Sequence, residues 1–166
     1  MEKIIFLDVD GVLNFWDCWL GSTPNVLRGK SKTLVLSIDA INQLNRIIKE
    51  TGAKIVISST WRKFKDHYNF LLESPIEGEI IGETPDLLYD CSRKTSRGLE
   101  IKEWLENEYG EKCKFVILDD DDDMGDLKDY LIQTNFEEGL TKEIADTCIK
   151  RLNEKGYYTP VINSSN

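Results

Sequence analysis

Histidine is almost missing from this chain, with His67 alone, and the four cysteines Cys18, Cys91, Cys113 and Cys148 form no C-x-x-C pair. Without a His or Cys cluster nothing in the sequence suggests zinc. A chain of this size folds without disulfides, so four reduced thiols are expected. No apolar run approaches the roughly 20 residues that a membrane helix needs, which argues against a spanning segment. Met1-Glu2-Lys3 leads directly into Ile4-Ile5-Phe6-Leu7, too short a run and too soon followed by acids for a signal peptide. A cytoplasmic location is the expectation. Cations are outnumbered, 21 Lys and Arg against 30 Asp and Glu, for a net charge of −9. That balance argues against broad attraction to nucleic-acid phosphates, yet leaves room for a local basic groove. There is no internal repeat.

What is present is 166 residues, 40% hydrophobic and 31% charged, which fits one globular domain spanning 1–166 with a core of its own. Lys3–Leu7, Lys54–Ile57 and Lys114–Leu118 are short β-branched or apolar runs ending in polar residues, the pattern of buried parallel strands. Glu79–Gly82 is a further candidate, and Tyr158–Ile162 a candidate edge strand weakened by Pro160. Helical patterns alternate with these runs. Ser37 caps a first helix with Ile38, Ile41, Leu44, Ile47 and Ile48 on one face, stopped by Gly52. Ser96 caps a second that begins at Arg97 and stops at Gly110, and Thr141–Glu154 forms the last. The alternation predicts an α/β fold, a single Rossmann-like doubly wound parallel sheet.

Ligands of such sheets sit beyond the carboxyl ends of the strands. Here those ends are Asp8-Val9-Asp10, Ser58-Ser59-Thr60 and Asp119-Asp120. So many carboxylates on one rim repel unless a cation neutralises them. Mg²⁺ takes oxygen ligands and binds through one or two carboxylates plus substrate phosphate, which suits Asp8 and Asp119.

Asp8-Val9-Asp10-Gly11-Val12-Leu13 resembles the first motif, D-x-D-G-[TV]-L, of the haloacid dehalogenase-like (HAD) superfamily. Ile55-Val56-Ile57-Ser58 resembles the second motif, Arg97 the third and Ile117-Leu118-Asp119-Asp120 the fourth, in the family's order. The resemblance implies a phosphatase in which Asp8 attacks phosphorus to form an aspartyl-phosphate and Asp10 serves as general acid and then base. It implies Mg²⁺ held by Asp8, the Asp10 backbone carbonyl and Asp119, with Asp120 in contact or one layer out. Ser58 would hold a phosphoryl oxygen, with Ser59 and the backbone N–H groups of Val9, Asp10 and Ser59 adding donors. The third motif usually carries lysine. Arg97 stands at the helix start here, and Lys94 is the competing cation.

Blander readings exist for each piece. A lone D-x-D can be a turn, Asp119–Asp123 a solvated acidic loop, and Ser58-Ser59-Thr60 a strand end satisfied by backbone. Trp16, Trp19 and Trp61 are core, flap or base-stacking residues. Residues 14–36 form only a short flap, so at most a minimal cap is expected, an open site suited by family analogy to large or extended substrates.

Ser58-Ser59-Thr60-Trp61-Arg62, Arg97-Gly98-x-Glu100-Ile101-x-x-Trp104-Leu105 and Gly139-Leu140-Thr141 resemble HAD domains of RNA-repair proteins and the phosphatase domains of polynucleotide kinase-phosphatases. That resemblance implies a nucleic-acid end with a 3′-phosphate, or a nucleotide, as partner, with Arg62, Lys63 and Lys65 as candidate phosphate contacts. A catalytically silent module that binds a nucleotide or protein, and a phosphatase of small metabolites or phosphoproteins, are the competing readings.

Overall fold

The computed structural model describes residues 1–87 and 96–161. Lys94 and Cys91 therefore lie outside the described residues, as does Ile162 at the end of the expected edge strand.

Five strands form one parallel sheet: β1 (Glu2–Leu7), β4 (Lys54–Ile57), β5 (Ile80–Glu83), β6 (Cys113–Asp119) and β7 (Leu131–Gln133), in the order β5-β4-β1-β6-β7. Alternation along each strand builds the two faces. Ile5, Leu7, Ile55, Ile57, Val116 and Leu118 point into one core; Ile4, Phe6, Val56, Phe115 and Ile117 point into the other. Helices cover both, so the sheet is doubly wound as the sequence predicts.

The first core is closed by α2 (Ile38–Thr51), α3 (Lys65–Leu72) and α5 (Lys142–Asn153). The Ser37 hydroxyl accepts the Ala40 N–H, which satisfies one of the free donors at the start of α2, and Gly52 ends that helix in a left-handed turn at φ 69°. Ile41, Leu44 and Ile47 are fully buried on its inner face. Each contributes about 1.5–3 kcal/mol from the area it removes from water. The second core is closed by α4 (Arg97–Glu103), which continues as a π-helical segment, Trp104–Tyr109. Trp104 stands edge-on to Phe6 with ring centroids 5.5 Å apart.

Three elements in or at the end of residues 14–36, and one strand far along the chain, escape the periodicity argument. A short helix α1 (Trp16–Leu20) precedes an antiparallel hairpin of β2 (Val26–Arg28) and β3 (Val35–Ser37). Strand β7 has only three residues, below the length at which alternation can be read. Tyr158 does not start an edge strand; it makes one antiparallel bridge to Cys113, with N–H to carbonyl distances of 2.7 and 3.2 Å. Pro160, lacking an N–H, cannot extend it. No described helix is long and apolar enough to cross a membrane. Cys18, Cys113 and Cys148 are free and buried, and burial pushes the Cys113 and Cys148 thiols up to about 12.

Candidate active site

The sheet order puts β1 between β4 and β6, so the residue following β1 meets both neighbours. The Asp8 N–H donates to the Leu118 carbonyl at 2.9 Å, and the Ser58 N–H donates to the Leu7 carbonyl at 3.0 Å. These bonds carry the ladders one step beyond the strands and place Asp8, Ser58 and Asp119 side by side. All three are buried.

Carboxylate oxygens of Asp8, Asp119 and Asp120 lie within 4.8 Å of one another. At an effective dielectric constant of about 20, two ionised groups at that distance repel by about 3 kcal/mol. Burial pushes Asp119 up to about 8, and the neighbouring Asp8 charge adds to the shift; Asp120 rises to about 6 for the same reasons. Burial also raises Asp8, against the pull of Arg97. Two polar atoms in this crowd have no hydrogen-bond partner among the described residues: Asp119 Oδ2 and Ser58 Oγ. An orphan carboxylate oxygen beside two more carboxylates fits a hard divalent cation, and an orphan hydroxyl beside them fits a phosphoryl oxygen.

Arg97, the third-motif candidate of the resemblance, brings a cation against this cluster. Its guanidinium lies 3.3 Å from Asp8 Oδ1 and 3.6 Å from Asp119 Oδ2, and it donates to the Ser58 carbonyl. Burial works against its charge, but Asp8 and Asp119 outweigh that cost and raise its pKa. The backbone fixes this placement. The Arg97 N–H donates to Asp123 Oδ2 and the Gly98 N–H to the Asp123 carbonyl, both at 3.2 Å. A Cβ on Gly98 would lie 2.1 Å from the Met124 carbonyl oxygen, so only glycine allows the approach. Asp123 thus anchors α4, while Asp121 and Asp122 face solvent. The Asp121 N–H donates to Asp119 Oδ1 at 3.0 Å.

Asp10 stands apart from the three clustered carboxylates. Its Oδ1 accepts from the Asn14 amide at 2.9 Å and its Oδ2 from the Trp61 indole at 3.1 Å. Asn14, fully buried, also accepts the Gly11 N–H at 3.0 Å and donates to the Val35 carbonyl, tying the first loop to the hairpin. Gly11 itself has φ 77°, and a Cβ there would lie 2.6 Å from Asp120 Cγ. The Thr134 hydroxyl closes the same loop by donating to the Gly11 carbonyl at 2.6 Å. The spacing of Asn14 four residues after Asp10 is the one signal in the sequence for this support; Thr134 carries none.

Three expectations change. The Arg62 guanidinium is turned inward: it donates to the carbonyls of Ser58, Ser59, Thr84 and Pro85 and pairs with Glu100 at 3.0 Å. With all its donors directed at the protein, Arg62 braces the Ser58 loop and is not a phosphate contact. Lys63 is paired with Asp86 at 2.8 Å. Trp61, 3% exposed, is a wall of the site and not a stacking surface. Ser59 keeps a place beside Asp8, whose pKa its side chain helps to lower, and its hydroxyl accepts the Trp61 N–H at 3.3 Å.

Residues 4–145 match the family described as the HAD domain in Swiss Army Knife RNA repair proteins. The chain belongs to that family. No curated protein and no solved structure gives a significant match. Membership in this HAD family supports a phosphatase of the HAD type in general terms, and the cluster of Asp8, Asp119 and Asp120 is compatible with it.

Proposed function

We propose that this chain is a Mg²⁺-dependent phosphomonoesterase that works through an aspartyl-phosphate on Asp8 and acts on the phosphorylated end of a nucleic acid or on a nucleotide. The carrying observation is the meeting of Asp8, the orphan Ser58 hydroxyl, the Arg97 guanidinium and the orphan Asp119 oxygen at one sheet edge. The RNA-repair context of the matched family supports the substrate class.

Asp8, Asp119, Asp120 and the Asp10 backbone carbonyl would hold Mg²⁺, which when bound offsets the charge that otherwise keeps a carboxylate nucleophile from a phosphate. Ser58 Oγ donates to one phosphoryl oxygen and Arg97 neutralises another. An Asp8 carboxylate oxygen attacks phosphorus as the bond to the leaving oxygen breaks, and Asp10 gives its proton to that oxygen. Water then loses a proton to Asp10 and attacks the phosphorus, which frees inorganic phosphate and restores the Asp8 carboxylate. Asn14 and Trp61 hold Asp10 in one orientation for both transfers. The insert of α1 and the β2–β3 hairpin would serve as a minimal cap within a single domain, which suits an extended substrate.

The test is phosphate release by purified protein with and without Mg²⁺ from an end-phosphorylated oligonucleotide, mononucleotides, sugar phosphates and a chromogenic ester. Mg²⁺-dependent release from the oligonucleotide, lost in Asp8→Asn, is expected. Turnover confined to mononucleotides or sugar phosphates overturns the polynucleotide reading, and no turnover on any ester favours a binding module.

A further inference from the structure

Gly11 has no side chain to anchor it, and two other residues hold its backbone from opposite ends. Its N–H donates to Asn14 Oδ1 at 3.0 Å, and its carbonyl accepts the Thr134 hydroxyl at 2.6 Å. Both holders are buried, Asn14 at 0% and Thr134 at 4% exposure, so water does not compete for these bonds. Gly11 sits at φ 77°, with Asp120 Cγ only 2.6 Å from where a Cβ would stand. The clamped residue therefore lies against the carboxylate cluster.

The two holds act on consecutive peptide groups. The Gly11 N–H belongs to the same peptide as the Asp10 carbonyl, and among the described residues no peptide bond is cis, so that carbonyl points away from Asn14. Asn14 thereby sets the plane in which the Asp10 carbonyl lies. The Gly11 carbonyl belongs to the next peptide, which Thr134 fixes. The Thr134 N–H in turn donates to the Asp119 carbonyl at 2.9 Å. A hydrogen-bonded path thus runs from Asp119 through Thr134 to Gly11, joining the ends of β6 and β7 to the first loop.

The Asn14 amide has no freedom to turn. Its Nδ2 donates to Asp10 Oδ1 at 2.9 Å and to the Val35 carbonyl at 3.2 Å, while its Oδ1 faces the Gly11 donor. A flipped amide would set its oxygen against a carboxylate and a carbonyl. One side chain thus orients both the backbone and the carboxyl of residue 10, with β3 as its anchor. Thr134 reaches the backbone only.

We propose that Asn14 and Thr134 are positioning residues for the metal: together they clamp Gly11 so that the Asp10 carbonyl is presented to Mg²⁺ beside Asp119, and Asn14 alone adds the hold on the Asp10 carboxyl. This rests on the reading of the cluster as the Mg²⁺ site of a phosphatase. Residues that orient metal ligands in this way are worth about 10–100-fold in metal affinity or activity. The two residues divide the work, so their loss produces different defects. Without Thr134 the metal is held less well; without Asn14 the proton-transfer group is misplaced too.

Mg²⁺ affinity of the purified chain without substrate, measured by titration calorimetry, tests this apart from turnover. Thr134→Val, which removes the hydroxyl and keeps the branched shape, should bind Mg²⁺ about tenfold or more weakly. Thr134→Ser keeps the donor and should stay within about threefold of the original chain. Asn14→Ala should also lose about tenfold or more. Phosphate release from a chromogenic ester then separates the two residues: saturating Mg²⁺ should recover most of kcat in Thr134→Val and little of it in Asn14→Ala. Circular dichroism and melting temperature are the fold controls, and the valine and serine variants of Thr134 decide the matter if the buried Asn14→Ala does not fold. Mg²⁺ affinity in Thr134→Val within twofold of the original overturns the clamp. So does an equal loss in Thr134→Ser, the mark of packing alone. Full recovery of kcat by Mg²⁺ in Asn14→Ala overturns the second role of Asn14. Weakened Mg²⁺ binding in Thr134→Val, in a chain that hydrolyses no ester, supports the clamp and sinks the phosphatase reading, whereas no Mg²⁺ binding by the original chain sinks both.

Discussion

Arg62 and Glu100 form an ion pair at 3.0 Å with side chains only 3% and 9% exposed, and they join the loop that carries Ser58 to the helix that carries Arg97. Glu100 lies one helical turn beyond Arg97, so the pair sets the spacing between the two groups proposed to grip phosphate. Removing one partner of a buried pair costs about 3–5 kcal/mol, because the other charge is left uncompensated. Glu100→Ala should therefore lower the melting temperature by about 6 °C or more for a chain of this size. Arg62→Lys should fold but lose kcat more than KM, since one ammonium cannot reach all the carbonyls held by the guanidinium. An unchanged kcat in stable Arg62→Lys would contradict the positioning role.

Arg97→Ala should lower kcat by about 10²–10³, the range for loss of one group aimed at developing charge. Arg97→Lys should recover part of it. Phosphate-release kinetics under saturating substrate separate the two variants.

Trp61→Phe keeps the ring against His67 but deletes the donor to Asp10. Deleting a hydrogen bond of about 1–1.5 kcal/mol predicts roughly a tenfold fall in kcat. The pH–rate profile should change with it, whereas a mere packing role would leave the profile in place.

Without metal, Asp119 and Asp120 carry pKa values of about 8 and about 6, above their ordinary 3.8. Between those limits the folded state binds more protons than the unfolded one, so stability falls as pH rises from about 4 through 6 to 8. A metal-free sample should thus melt several degrees lower at pH 8 than at pH 5. Added Mg²⁺, which favours the charged carboxylates, should raise the melting temperature more at pH 8 than at pH 5. Scanning calorimetry with and without chelator reads both effects.

Gly98→Ala should destabilise by about 1–3 kcal/mol, because its Cβ has to displace the Met124 backbone and not a movable side chain. Loss of activity should exceed loss of folded protein, since the displaced backbone carries Arg97 away from Asp8. Thermal melts and kcat measured on the same preparation distinguish the two.

The frame of the site is legible in the sequence because it is local. Asp8, Ser58 and Asp119 each end a run whose apolar pattern marks a buried strand, and Arg97 follows the Ser96 cap that starts its helix. Arg62 misleads for a physical reason: its Glu100 partner lies 38 residues away, and an arginine whose partner is that distant looks like a free cation. Asn14 and Thr134 act through loop contacts that leave no period in the sequence. The β2–β3 hairpin and β7 are three residues per strand, too short for alternation to speak.

The sheet order has a last consequence, for synthesis. Strand β1 is made first among the five yet lies at the centre, and its partner β6 is more than a hundred residues away in the chain. A growing chain that stops short of Asp119 holds Asp8, the proposed nucleophile, without the carboxylates of Asp119 and Asp120 beside it. The carboxylates cannot assemble piecemeal, so under the proposed function a truncated or half-made copy is chemically silent, and appearance of phosphatase activity would mark completion of the sheet.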